Sequence, residues 1–274
     1  MRLLPVHVAV VGHVEWIEFV RVDHIPARGE IVHAGEVWSE AAGGGAVAAV
    51  QLARLAGSST LFTALGDDEL GRKAIPELER LGVTVHAAVR PEPQRRGFTY
   101  LDAEGERTIT VIGERLGPRR SDDLPWDELV QADGVYFVSG DAAAVRAARE
   151  AKVLVATARS MATLAEARVA LDALVRSRND QGETYRPGDL DPRPRADVAT
   201  AGSQGGSFTI AGGAPNHFPP AAAPGPLQDA YGAGDSFAAG LTYGLAEGLP
   251  MDEAVALAAR SGAAALSRRG AHGA

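Results

Sequence analysis

Gly232-Ala233-Gly234-Asp235 is the stretch whose residue types and order could do chemistry. Pro224, Gly225 and Pro226 stand upstream and exclude a continuing helix or central strand. Phe237, Leu241 and Leu245 then recur at four-residue spacing, which predicts a helix over 233–247. A glycine turn therefore opens directly into a helix N-terminus. The first amides of a helix have no acceptor within it, and the dipole is positive there, so the turn is a ready anion site. Asp235 falls inside the first helical turn. An anion hole with an acid beside it suits transfer of a phosphoryl group to a hydroxyl, the amides holding the phosphate and the acid taking the proton. Acids in a first turn also complement the dipole without any catalytic role, and Gly-Ala-Gly is often only a tight turn. The spacing by itself leaves both readings open.

The elements that must position this turn read as follows. Residues 6–11 form a buried-type strand ending at Gly12. Segments 15–22 and 30–38 alternate loosely around Pro26 and Gly29, and predict a hairpin standing off the main body. Gly43-Gly44-Gly45 then leads into an alanine-rich helix; three glycines allow close backbone approach to a ligand, or close packing of helix on sheet. They lack the spacing of a dinucleotide fingerprint. Residues 60–65 are a strand, and Asp67 or Asp68 can cap the helix that follows to about Leu81, with Pro76 expected to kink or split it. After a strand at 83–89, segments 97–102 and 107–112 form a second hairpin around Gly105. The two hairpins, about 14–38 and 97–112, could pair into a small sheet that closes over a site.

The second half alternates strands and helices: 134–139, 142–150, 153–157 and 161–169. A short apolar run at 170–175, a polar loop at 176–191, and strands at 197–201, 207–210 and 216–218 precede the glycine turn. A last helix covers 251–266. Such alternation predicts a mostly parallel sheet covered on both faces, in one domain over residues 1–274. Ligands in such sheets bind at the carboxyl ends of strands, where Gly12, Gly66, Gly140 and Gly202 fall.

Composition narrows the class. The chain has 274 residues, 46% hydrophobic and 23% charged, which is globular. Its net charge is −8 and it has no long basic run, so nucleic acid is not expected as the main partner. The absence of cysteine excludes disulfides, thiolate metal sites and a cysteine nucleophile, and fits a cytoplasmic location. No segment reads as a membrane span or a cleaved signal. The histidines are scattered without metal-ligand spacing.

The order of motifs resembles the ribokinase-like (PfkB-type) carbohydrate kinase family over essentially the whole chain. Asp229-Ala-Tyr-Gly-Ala-Gly-Asp235 is similar to the family's C-terminal signature Asp-Thr-x-Gly-Ala-Gly-Asp. Gly43-Gly44, Ala64-Leu-Gly-Asp-Asp68 with Gly71, Gly97-Phe-Thr-Tyr followed by Gly105-Glu-Arg-Thr-Ile109, and Thr200-Ala-Gly202-Ser-Gln-Gly205 resemble further motifs in the same order. The resemblance implies a three-layer α/β/α fold with a mostly parallel central sheet and a small β lid made by the two hairpins. It implies an ATP-dependent kinase acting on a hydroxyl of a small sugar or sugar-like molecule, with Mg²⁺ bridging the phosphates. In some members a monovalent cation such as K⁺ also sits near the signature. Asp235 would be the base, and Gly232, Ala233 and Gly234 the anion hole. Thr200, Gly202 and Gly205 would lie along ATP, and Asp229, grouped with these ATP-binding residues, would support the loop. Glu15, Gly43, Gly44, Gly45 and Asp235 would meet the acceptor. Asp180, with Glu183 as second candidate, would act toward Mg²⁺ through water.

Three positions depart from the pattern. Ala230 replaces a threonine, Ile17 stands where an acceptor-binding Asp is expected, and Ala48 where an Asn is expected. They motivate two alternatives: a nucleoside kinase of the same fold, and a ligand-binding or regulatory homologue with impaired catalysis. Trp16 and Trp38 in the first hairpin could stack on a sugar or base, or pack the lid and a homodimer contact through it. Arg159 could meet phosphate or form a surface ion pair.

Overall fold

The computed structural model describes residues 5–273. Its main sheet is built from runs of β-branched and small residues that are buried on both faces, as parallel strands require. Strands β1 (Val8–Val11), β4 (Ser59–Gly66), β5 (Val83–Arg90), β8 (Gly134–Phe137), β9 (Val153–Thr157), β10 (Ala173–Ser177) and β11 (Ala196–Thr200) run parallel. β12 (Gly206–Ile210) and β13 (Asn216–Phe218) add an antiparallel edge. The order is β13-β12-β11-β10-β9-β8-β1-β4-β5.

Helices α1 (Gly44–Ala56), α2 (Glu69–Arg80), α5 (Ala233–Ala246) and α6 (Met251–Ala265) share one hydrophobic core with one face of the sheet. Helices α3 (Ala142–Ala148) and α4 (Met161–Ala167) cover the other face, together with a 3₁₀ turn at Trp126–Gln131. Alanine and glycine at the contacts let these elements approach closely. A Cβ on Gly134 would lie 2.8 Å from that of Ala246, and one on Gly240 would lie 2.5 Å from Ser261 Oγ. This is the three-layer α/β/α architecture.

A second sheet, β3-β2-β6-β7, stands apart. β2 (Glu15–Arg21) pairs antiparallel with β3 (Glu36–Ala42) and parallel with β6 (Arg96–Leu101), and β6 pairs antiparallel with β7 (Arg107–Ile112). Its inner face buries Ile17, Phe19 and Leu101 against Val47, Tyr231 and Ala271. Trp38 stacks on Phe19 at 5.0 Å between ring centroids, so it packs the lid.

Several expectations are corrected. The second strand of the first hairpin is Glu36–Ala42 rather than 30–38, because β2 ends at Arg21, whose register partner is Glu36. Residues 30–35 have no strand to pair with, and Ile31 is 86% exposed. Pro76 does not split α2, which runs unbroken from Glu69 to Arg80. Pro76 and Arg72, the residue whose carbonyl loses its helical donor, both face solvent, where water can replace the bond. The apolar run at 170–175 yields the central strand β10, one step later in the chain. Among the described residues no helix is long and apolar enough to cross a membrane.

Candidate active site

Gly232 is the N-cap of α5 in the left-handed region, with φ 71°. The first helical bond runs from the Ser236 amide to the Gly232 carbonyl at 2.8 Å. The amides of Ala233, Gly234 and Asp235 therefore have no helical acceptor and point out of the N-terminus. A side chain at 232 is excluded twice, by its φ and by Val47 Cγ1, which would lie 2.7 Å from a Cβ. The predicted anion turn thus exists as geometry, and no side chain caps it.

Asp235 is partly accessible at its surface, but its carboxyl is enclosed by protein. Burial pushes its pKa up to about 6, against the pull of Arg107 and Arg159; Glu183 and Glu15 push further upward. Those four names locate the carboxylate between the lid, α1 and the strand ends. The predicted glycine turn meets it there. A Cβ on Gly44 would approach Asp235 Oδ1 within 2.9 Å and Val138 Cγ1 within 3.0 Å. Gly43 has φ 85° and its amide donates to the Tyr231 hydroxyl at 3.1 Å, tying the two glycine turns together. A Cβ on Gly45 would collide with the His13 carbonyl at 2.5 Å, so the chain after β1 packs on the start of α1.

Glu15 opens β2 beside Gly43, buried, and pairs with Arg95 Nε at 2.7 Å. Burial raises its pKa and Arg95 opposes the rise. His13 Nδ1 lies 3.0 Å from Ser139 Oγ, and its Nε2 is 3.7 Å from Glu15. Burial, with the fields of Arg115, Arg95 and Arg159, lowers the His13 pKa to about 3, so the ring is neutral. The two positions with unexpected residues do not face this space. Ile17 is wholly buried in the lid core, and Ala48 is wholly buried inside α1.

On the other side, Thr200 ends β11, and Gly202 (φ 58°) and Gly205 (φ 77°) turn the chain back into β12. The Ala201 amide donates to the Gly205 carbonyl at 2.8 Å, and a Cβ on Gly205 would collide with the Phe218 carbonyl at 2.2 Å. The turn is exposed at 202–204 and open to a ligand. Asp229 supports the loop from within the protein and does not line this turn. It is 0% exposed, and its oxygens accept the amides of Tyr231 at 2.8 Å and Gly270 at 2.7 Å. It holds the loop and offers no face to a nucleotide.

The two acids expected near metal both close on Arg159. Glu183 Oε1 accepts Arg159 Nε at 2.7 Å, and Glu183 Oε2 accepts the Ser177 amide at 2.6 Å. Asp180 pairs with the same guanidinium and accepts the Gly182 amide at 2.8 Å, capping the turn. Glu183 is the one whose charge reaches Asp235, which reverses the expected ranking of the pair. Among the described residues no group of three or more His, Asp or Glu could hold a metal ion. With Arg159 bonded to both acids, neither is free here as a direct ligand of Mg²⁺.

Four residues of the site were not singled out from the sequence. Arg107, at the start of β7, donates to the Ala230 carbonyl and lies 5.9 Å from the Tyr231 ring, so it latches the lid to the glycine turn. Arg107 and Tyr231 both stand inside recognised motifs, which is the signal that could have found them. Arg95 and Arg115 are single arginines in an arginine-rich chain and carry no local signal.

Comparison with known proteins follows this geometry. Residues 6–201 and 190–274 match the description "pfkB family carbohydrate kinase". An ATP-dependent ribose-1-phosphate kinase of Halopiger xanaduensis is 32% identical over 163 residues, 55% of this chain and 53% of that protein. The match thus spans about half the length of that relative. Ribokinase from Thermotoga maritima superposes with TM-score 0.77 at 21% identity, over 97% of this chain and 95% of the other. Adenosine kinase from Sinorhizobium meliloti superposes with TM-score 0.78 at 18% identity, over 98% and 96%. The family match covers nearly the whole chain, the two superpositions share its fold, and the signature turn occupies the N-terminus of α5: the chain belongs to the pfkB family of carbohydrate kinases.

Proposed function

We propose that the chain is an ATP-dependent kinase that phosphorylates a hydroxyl of a small sugar or sugar-like acceptor. The observation that carries this reading is the Asp235 carboxyl, enclosed beside Gly44 in the first turn of α5, next to the unpaired amides of residues 233–235. In the reaction the acceptor oxygen forms a bond to the γ-phosphorus, and the bond from that phosphorus to the β–γ bridging oxygen breaks. ADP leaves with the electron pair, and the hydroxyl proton passes to Asp235. A base with pKa about 6 is largely ionised at neutral pH yet more basic than an ordinary aspartate. The amides of Ala233 and Gly234 would face the charge on the transferred group. Thr200, Gly202 and Gly205 would line the nucleotide, and Glu15 with Gly43, Gly44 and Gly45 the acceptor. The name of the Halopiger relative, which couples ATP with a sugar acceptor, supports both halves.

The intact turn and its base weigh against a chain that only binds ligands. Exposed Val37, Ile109, Val111 and Ile112 on the lid support a homodimer through it, which light scattering would test. The test of function is phosphoryl transfer from MgATP to a panel of sugars, sugar phosphates and nucleosides, with wild type and Asp235→Asn. Turnover by the wild type at a rate that Asp235→Asn retains would sink the base assignment. No turnover with any acceptor would sink the kinase.

A further inference from the structure

A cleft of about 360 Å³ opens beside the site, lined by Arg115, Arg119, Ser139, Arg159 and Thr163, and by Asp141, whose carboxylate accepts the amides of Ala144 and Arg120. Its cations come from separate parts of the chain: Arg115 and Arg119 from the segment after β7, and Arg159 from the end of β9. Arg95, next to β6, lies outside this lining, but its charge acts together with those of Arg115 and Arg159 on His13 and Glu15. Arg95 and Arg159 have acidic partners. The guanidinium groups of Arg115 and Arg119 make no hydrogen bond or ion pair with any other described residue. Arg115 faces the like charges of Arg95 and Arg159, with only Glu15 to oppose them. Arg95 and Arg159 are balanced by their carboxylates, so Arg115 and Arg119 are the two guanidinium groups that an anion would complete. Ser139 and Thr163 add hydroxyl donors, and neutral His13 holds Ser139 in place.

The cleft adjoins the reacting end of the site. Ser139 follows Val138, and Val138 flanks Gly44 together with Asp235. It lies away from the nucleotide turn. β11, which ends at Thr200 just before the Gly202 turn, is two strands beyond β9, roughly 10 Å at the usual strand spacing. The side chains that would read neutral hydroxyls are absent from their expected places, because Ile17 and Ala48 lie in the core. Recognition of a polyol relies on buried polar pairs, whereas recognition of an anion relies on guanidinium donors.

We infer that the acceptor carries a phosphate or equivalent anionic group in addition to its reacting hydroxyl, and that Arg115 seats this group in the cleft with Arg119 and Arg159. The inference builds on the kinase reading for which hydroxyl reacts, but its binding claim can be judged without turnover.

The test is calorimetry with matched pairs: ribose against its 1- and 5-phosphates, and fructose against its 1- and 6-phosphates, with ADP as the nucleotide arm. At least one ester should bind about 30-fold or more tighter than its parent sugar, with affinity falling as salt rises. Arg115→Ala should weaken that ester by about 10- to 100-fold and change ADP affinity less than about twofold. Arg115 is exposed, so the variant should keep its circular dichroism spectrum and melting temperature. Arg119→Ala provides a second probe if it does not. Esters that bind no tighter than their parents overturn the proposal. So does an ester unaffected by both substitutions, and so does ADP that loses as much as the ester, which would give the cleft to the nucleotide. Turnover with neutral sugars alone overturns the anionic acceptor and leaves the kinase standing. Tight, Arg115-dependent ester binding without turnover upholds the cleft and overturns the kinase.

Discussion

Oδ1 of Asp235 lies where a Cβ on Gly44 would come within 2.9 Å of it. Gly44 begins α1 and Asp235 lies in the first turn of α5, so two helix N-termini confine one carboxylate. On the far side Val138 Cγ1 would be 3.0 Å from the same Cβ. Gly44→Ala must therefore move Val138, packed in the core, or the carboxylate, the looser of the two. Displacement by a fraction of an ångström to one ångström is expected to lower kcat/KM by about 10²-fold. The stability cost should stay at about 1–3 kcal/mol, as for a modest overpacking. Steady-state kinetics and thermal denaturation check this. Wild-type kcat/KM in the variant would show that the carboxylate is not confined here.

Asp235→Asn should separate activity from stability. Loss of the base is expected to lower kcat by about 10²–10⁴-fold. In the wild type, kcat/KM should rise with pH through about 6 and level off above it, since the ionised carboxylate is the active form. The effect on stability has the opposite sense. Burial raises the folded pKa from 3.8 to about 6, so between these values the folded chain holds a proton that the unfolded chain releases. The contribution of this group to stability therefore falls as pH rises through that window, by about 1–3 kcal/mol once its partial access to solvent is allowed for. Asp235→Asn should be more stable than wild type at pH 8 and indistinguishable from it at pH 4 in urea denaturation. An equal gap at both pH values would mean that charge burial is not the cause.

The extent to which the sequence disclosed this site follows from how local each signal is. The glycine turn and helix of residues 229–245 are local: breakers, a turn and a four-residue apolar period lie within one stretch. So are the parallel strands, apart from β10, whose short run is a strand only because β9 and β11 flank it. Three lid strands fall within a residue of their expected bounds, but the second strand of the first hairpin does not, because pairing sets it: Glu36 starts β3 as the partner of Arg21. The roles of Asp180 and Glu183 were hidden for the same reason. Their partner Arg159 is 21 or more residues away in the chain, and no motif spacing announces an ion pair. Arg115 was the least legible, because its significance lies only in what converges on it.

Arg159 and Glu183 should tune Asp235 in opposite directions. The Glu183 charge raises the Asp235 pKa and the Arg159 charge lowers it, and the two side chains are themselves bonded at 2.7 Å. Glu183→Gln should move the lower limb of the kcat/KM profile to more acidic pH. Arg159→Ala should move it to more alkaline pH and also lower kcat/KM by about 10²-fold, through loss of a cation near the charge that develops. Arg159→Lys, which keeps the charge and loses the fork toward Glu183 and Asp180, should restore the pH limb better than the rate. Limbs that shift the same way in Glu183→Gln and Arg159→Ala would exclude electrostatic tuning as the role of this pair.

Asp229 links the glycine turn before α5 to the lid through residues 270–272. Its Oδ1 takes the Tyr231 amide at 2.8 Å and its Oδ2 the Gly270 amide at 2.7 Å. From Gly270 the chain continues onto β3: the Ala271 amide donates to Glu40 Oε1 at 2.8 Å, and His272 Nε2 donates to the Ala41 carbonyl at 2.7 Å. Tyr231 in turn holds Gly43. Asp229→Ala leaves two buried amides without acceptors, each costing about 1–3 kcal/mol, so a loss of about 2–5 kcal/mol is expected in urea denaturation. Asp229→Asn should cost about half as much, because its amide oxygen can still accept one of the two bonds. In both variants the amides of residues 40–42 should exchange faster with solvent, as the strap that pins β3 loosens. Unchanged exchange in β3 alongside a large loss of stability would show that Asp229 acts on the turn alone, and that the lid is held by its own core of Ile17, Phe19 and Leu101.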